Sequence, residues 1–211
     1  IVDIQELITN ADLYLLTVSD DAIEKVSKSI PFSLSQKQMI AHTAGSVSIE
    51  VLSSTGEHYG SFYPLQTFSK SRRLSFNKIP MCIHGSDNYI AKKMIALAKT
   101  ISSDVRQIDD KTRKEIHLSA VLACNFVTHL IAESEVILAD AGVDKSILAP
   151  LIQETIFKTI SQGASKAQTG PARRGDNKVI KSHLEMLSDK PAIQKLYKQL
   201  SSSIKTLHDR Q

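Results

Sequence analysis

The 211 residues have an ordinary globular balance, 42% apolar and 23% charged. This excludes wholesale disorder, and no uninterrupted apolar run approaches the roughly 18 residues of a membrane span. Two cysteines, Cys82 and Cys124, exclude a disulfide framework, nothing has zinc-ligand spacing, and a reducing cytoplasm is the expected compartment. The net charge of +4 is unevenly spread: residues 1–157 hold 15 Lys/Arg against 18 Asp/Glu, and residues 158–211 hold 11 against 4. The basic end reads as a lysine-studded helix surface. With Tyr197 its one aromatic residue, stacking on bases has little to work with, so neither nucleic acid nor a membrane is expected as a partner.

The first half alternates strand and helix signals. The run Asp12–Val18 is short and apolar, the pattern of a strand buried on both faces. Ser19 then reads as a helix N-cap, with Asp20 and Asp21 in the first turn, and the helix through Val26 stops before Pro31. Met39–Thr43 is a second buried strand running into Ala44-Gly45-Ser46. Strands around Tyr63 and over Ile79–His84, a helix from Asp87 to Ile101, and a short strand Asp104–Ile108 complete this half. The alternation predicts an α/β fold, a partial Rossmann-like and mostly parallel sheet over residues 1–109.

After Asp109 the pattern becomes helical, which predicts an all-helical domain over residues 110–211. Asp110–Ala141 is one helical stretch closed by Gly142, with helix-spaced apolar residues at 116, 121, 124, 127, 131 and 138. At about 1.5 Å per residue it makes a rod near ~48 Å, too long for its own domain to cover, which predicts a homodimer. Lys145–Ser161 is a second helix, starting near Pro150. Gly163–Gly175 reads as a polar loop, followed by two helices split near Asp189-Lys190-Pro191.

In an open parallel sheet, ligands bind outside the carboxyl ends of the strands. Two such ends are small and polar, Thr17-Val18-Ser19-Asp20 and His42-Thr43-Ala44-Gly45-Ser46, and Tyr63–Phe68 follows a third. Hydroxyls and a bare glycine backbone let a flat ligand approach; helix caps and turns are the plainer reading of the same residues. His129 and Glu133, one turn apart, lack a third ligand, so no metal is expected, and Cys124 reads as a small core residue.

The segments NADLYLLTVSDDAI (10–23), HTAGS (42–46), YPLQTFSK (63–70), HLSAVLACNFVTHLIAESEVILADAGVD (117–144) and TGPARRGD (169–176) together resemble bacterial NADP-dependent oxidoreductases that join a Rossmann-like domain to a helical domain of unknown function. That group is similar more broadly to pyrroline-5-carboxylate reductase and the 6-phosphogluconate dehydrogenase-like enzymes. The resemblance implies hydride transfer between a nicotinamide cofactor, NADP with NAD as the other candidate, and a small-molecule substrate. It further implies an N-terminal domain that holds the dinucleotide and a helical domain that makes the dimer and half of the active site. The nicotinamide would then lie along Thr17, Val18, Ser19, His42, Thr43, Gly45 and Ser46. A non-catalytic dimeric dinucleotide-binding or sensor protein on the same fold is the alternative.

Two departures qualify the resemblance. The Gly-x-Gly-x-x-Gly turn for the pyrophosphate is absent; in the family it follows the first strand, and with no initiator Met and Ile1 inside an amphipathic turn, the chain reads as a fragment. Related dehydrogenases also carry a Lys four residues before a helix Asn; Asn125 matches that Asn, but position 121 is Val. His117 falls on the same face, which leaves two readings: His117 and Asn125 as catalytic residues, or a His early in a long helix with Asn125 at an interhelical contact. Gln66 and Thr67 are expected on the substrate. Gly170, Pro171 and Gly175 predict a stiff turn, with Asp176 as N-cap and Arg174 reaching an anionic group on substrate or cofactor, or a carboxylate across the dimer. The family's RGD at this place favours Arg174 over Arg173.

Overall fold

The computed structural model describes residues 4–209. The amphipathic turn read at Ile1 lies partly outside them; a 3-10 turn covers Ile4–Glu6. Five strands follow in sheet order: β1 (Leu13–Leu16), β2 (Met39–His42), β3 (Tyr59–Pro64), β4 (Met81–Gly85) and β5 (Val105–Gln107). β1, β2 and β3 are parallel, β4 turns back antiparallel to β3, and β5 is parallel to β4. The sheet is mostly parallel, as the alternating pattern predicts.

Period-2 geometry sorts the side chains of β2 to two cores. Met39 and Ala41 join Phe62, Met81, Ile83 and helix α2 (Asn88–Ala98) on one face. Ile40 points the other way, into Tyr14, Ile23 and Leu52 beside α1 (Ile23–Lys28). β2 is buried along its whole length, but β1 is not: Leu15 is exposed, so the apolar run at 12–18 misleads about that strand. Asp87 caps α2 through bonds from Tyr89 N and Ile90 N.

The chain divides into two compact units, the first running to Phe126 and the second beginning at Val127. The division falls inside the long helix and not at residue 109, because the first turns of that helix are bonded into the sheet unit. The helix is α3 (Asp110–Ala120), a π-helical turn (Val121–Asn125) and α4 (Phe126–Asp140). Its 31 residues are long and apolar enough to cross a membrane by length and composition, although no single run in the sequence is uninterrupted.

In the second unit, Gly142 (φ 67°) ends α4, and a 3-10 turn (Lys145–Leu148) leads into α5 (Ala149–Gln162) with Pro150 in its first turn. The expected polar loop at 163–175 instead holds two short helices, α6 (Ala164–Ala167) and α7 (Pro171–Arg174). Gly170 (φ 100°) and Gly175 (φ 70°) bracket α7 in conformations only glycine adopts without strain, so the stiff turn is helical. α8 (Asn177–Met186) and α9 (Pro191–Asp209) complete the unit; Lys190, between them, pairs with Asp140 (2.8 Å) and Asp189 (2.9 Å).

Candidate functional site

The site is built around Arg113, which is fully buried one helical turn before His117 on the same face of α3. Its guanidinium donates to Ser61 Oγ of β3 (2.7 Å), to Asp110 Oδ1 (2.7 Å) and to the carbonyl of Val47. Asp110 in turn accepts from Ser48 Oγ (2.5 Å), Ile49 N (2.9 Å) and His84 Nδ1 (2.9 Å). Burial pushes the Asp110 carboxyl up, but these hydrogen bonds and the Arg113 charge outweigh it and hold the group well below the usual carboxylate range. One ion pair therefore ties α3 to β3, β4 and the loop after β2.

That anchorage sets His117 at the carboxyl ends of β2 and β3. Its Nδ1 lies 3.2 Å from Tyr63 Oη, with the rings edge to face, and the ring covers Gly45 so closely that a β-carbon there would stand 2.5 Å from Nδ1. Burial, then the nearby Cys82 and Asp20, raise the Tyr63 phenol, which stays protonated at neutral pH. A cleft of about 750 Å³ opens beside the pair, between Leu65–Phe68 and the α3–π face.

His117, Asn125, Gln66 and Thr67 all line this cleft, so four of the predicted site residues meet there. In a continuous α-helix Asn125 would sit about 80° around from His117. The π turn over Val121–Asn125 winds more slowly and brings the two towards one line, a use of π segments common at functional sites. Cys124 is exposed on the same turn and lines the cleft; it is not the core residue its apolar neighbours suggest.

The strand-end residues divide. Thr17, Val18, Ser19 and Ser46 are exposed, and Ser19 caps its helix turn by position without a side-chain bond. Ser46 Oγ donates to Asp20, and Thr43 Oγ1 to the Leu16 carbonyl (3.4 Å), so these hydroxyls stitch the loops after β1 and β2 together. The His42 ring is wholly enclosed and accepts from Ala44 N (3.2 Å). Burial and then the Arg113 charge lower its pKa to about 4, so it is neutral at pH 7 and offers no side-chain atom to a ligand.

Arg174 and Asp176 belong to the helical unit. Arg174 is exposed at the end of α7, and Asp176 caps α8 through Val179 N (3.1 Å), as expected of an N-cap. His129 and Glu133 form a 3.4 Å pair on α4. Arg113, Asp110 and His84 are the residues sequence reasoning missed; Tyr63 stands out in sequence only as part of the stretch 63–68, without a role. Asp110 and Arg113 stand three apart at a helix start, a spacing common to exposed ion pairs, so it carries no signal of burial.

Comparison with known proteins agrees with this architecture. Residues 79–204 match the model of a domain of unknown function, DUF2520. BF3122 from Bacteroides fragilis, a crystal structure described as a putative NADP oxidoreductase, is 39% identical with a TM-score of 0.92 over 98% of this chain and 80% of that one. Protein TM1727 from Thermotoga maritima is 22% identical (TM-score 0.74; 93% and 78% covered). An imine reductase from Myxococcus stipitatus, in complex with NADP+, shares the fold at 8% identity (TM-score 0.57; 98% and 76% covered). No curated protein matches the chain. The chain belongs to the DUF2520 family, on a Rossmann-like α/β sheet continued by helices.

Proposed function

We propose that the protein is an NADP-dependent oxidoreductase acting on a small molecule held in the His117 cleft. The observation that carries this reading is the His117–Tyr63 pair set over the bare backbone of Gly45 at the carboxyl ends of two parallel strands. The relative from Bacteroides fragilis, described in the same terms, supports it.

The residues present fit the nicotinamide end of such a cofactor. Thr17, Val18 and Ser19 stand exposed after β1, and so does Ser46 after β2 with its hydroxyl on Asp20, while Gly45 is buried beneath His117 and its missing side chain makes room for that ring. Thr43 and His42 support these loops from beneath. When bound, the nicotinamide supplies or accepts the hydride. The chain's own residues do the rest. Tyr63, protonated, holds His117 through Nδ1, which leaves the other ring nitrogen, Nε2, to a substrate oxygen or nitrogen. Asn125 orients that atom, Gln66 and Thr67 hold the substrate body, and the apolar wall of Leu65, Phe68 and Ile116 excludes water. Arg174, exposed on the helical unit, is assigned to an anionic group; Asp176 fixes the turn that carries it.

The functional molecule in this reading is a homodimer made by the helical unit. Phe157 and Ile160 on α5 are 68% and 80% exposed, and Leu151 and Val136 are also uncovered. A second copy covers such faces. Calorimetric titration with NADPH and NADH tests the reading: binding of NADPH is expected, and a protein that binds neither contradicts it.

A further inference from the structure

We propose that the loop Thr67–Lys78 beside the cleft is an anion-binding element that selects substrates carrying a phosphate or carboxylate on a flat ring. The inference rests on the functional reading above and names the substrate class of the same site.

Charge is the first observation. Between Glu57 and Asp87 the chain has no acidic residue, against four basic ones: Lys70, Arg72, Arg73 and Lys78. Among the described residues none of the four has a carboxylate within ion-pair distance, and all four side chains are exposed.

Ring geometry is the second. Phe68 and Phe76 close the base of the loop as a stacked pair, centroids 5.7 Å apart and planes 24° apart, yet they are 51% and 39% exposed. Leu74 packs against the core cluster of α2 and β4, and Arg72 N bonds Ser69 O (3.3 Å), so the loop has a fixed anchor and an internal turn. Phe68 also lines the cleft. The loop that carries the four cations therefore enters the cleft through Phe68 and exposes a flat pair of rings beside it, features that suit a ring with an anionic tail. Glu115, the one carboxylate lining the cleft, disfavours an anion deep inside and leaves the loop side as the place for the charged end.

Phenyl phosphate, benzoate, benzyl alcohol and inorganic phosphate separate the contributions. Titrated into the protein without any dinucleotide, phenyl phosphate should bind about tenfold more tightly than benzyl alcohol at low salt, with benzoate between them and the difference shrinking as salt rises. Inorganic phosphate should bind more weakly than phenyl phosphate, since it lacks the ring. The variant Lys70→Ala/Arg72→Ala/Arg73→Ala alters only exposed side chains; it should abolish the preference for anions and leave benzyl alcohol unchanged. Phe68→Ala should weaken all three ring compounds. Equal binding of charged and neutral rings, or an unaltered triple variant, overturns the proposal. So does loop-dependent binding of a single-stranded oligonucleotide in preference to phenyl phosphate. Because no NADP(H) is present, failure here leaves the redox reading standing, and failure of NADPH to bind leaves this result intact.

Discussion

The backbone of Gly45 and the imidazole of His117 are in such close contact that a β-carbon on residue 45 would fall 2.5 Å from Nδ1 and 2.9 Å from the His117 β-carbon. Gly45→Ala must therefore move the ring and break its 3.2 Å contact with Tyr63. Overpacking of this kind costs about 1–3 kcal/mol. Denaturant unfolding of Gly45→Ala, His117→Ala and the double variant should show strong coupling, with Gly45→Ala nearly neutral once His117 is alanine. Additive effects would contradict the contact.

Arg113 is the second prediction. Removing one partner of a buried, hydrogen-bonded ion pair strands the other, at a cost of about 3–5 kcal/mol. Arg113→Met should approach that loss in a denaturant melt: Ser61 and the Val47 carbonyl lose this donor, and Asp110 keeps only its bonds from Ser48, Ile49 and His84. A loss below about 1 kcal/mol would show that the network does not hold α3 to the sheet.

A pH dependence follows from His42. Its pKa falls from the ordinary value of 6.5 to about 4 on folding, through burial and the Arg113 charge, so the unfolded chain binds the proton more readily. The stability due to the neutral ring is complete above about 6.5 and is lost as pH falls towards 4. His42→Gln should flatten the stability profile between pH 4 and 6.5, the window set by those two values; an unchanged slope would place the titrating group elsewhere.

Much of the architecture was legible because it depends on local pattern. The strand-helix alternation, the buried run at Met39–His42, a helix beginning at Asp87 and the cap Asp176 are set by neighbours in sequence. What was not legible depends on contacts between distant residues. Arg113 meets Ser61 across 52 positions and Tyr63 meets His117 across 54, and nothing near any of them announces its burial. The small polar residues at 42–46 are visible in sequence, but whether they face a ligand or one another is decided by packing; His42 and Ser46 turn to the protein itself. Short helices such as α7 hide in glycine- and proline-rich stretches that read as loop.

The dimer is tested by sedimentation at micromolar concentration. A species of twice the 23.3 kDa chain is expected, and Phe157→Glu/Ile160→Glu should shift it to monomer, because both side chains lie uncovered on α5. A monomeric protein of unaltered stability would contradict this assembly.

The most direct test of the central claim is NADPH-dependent turnover of a panel of small carbonyl and imine compounds by the native protein and by His117→Ala. The account predicts that the variant keeps its affinity for NADPH and loses about 10²-fold in kcat, the usual contribution of a positioned proton donor. Undiminished turnover by His117→Ala would contradict it.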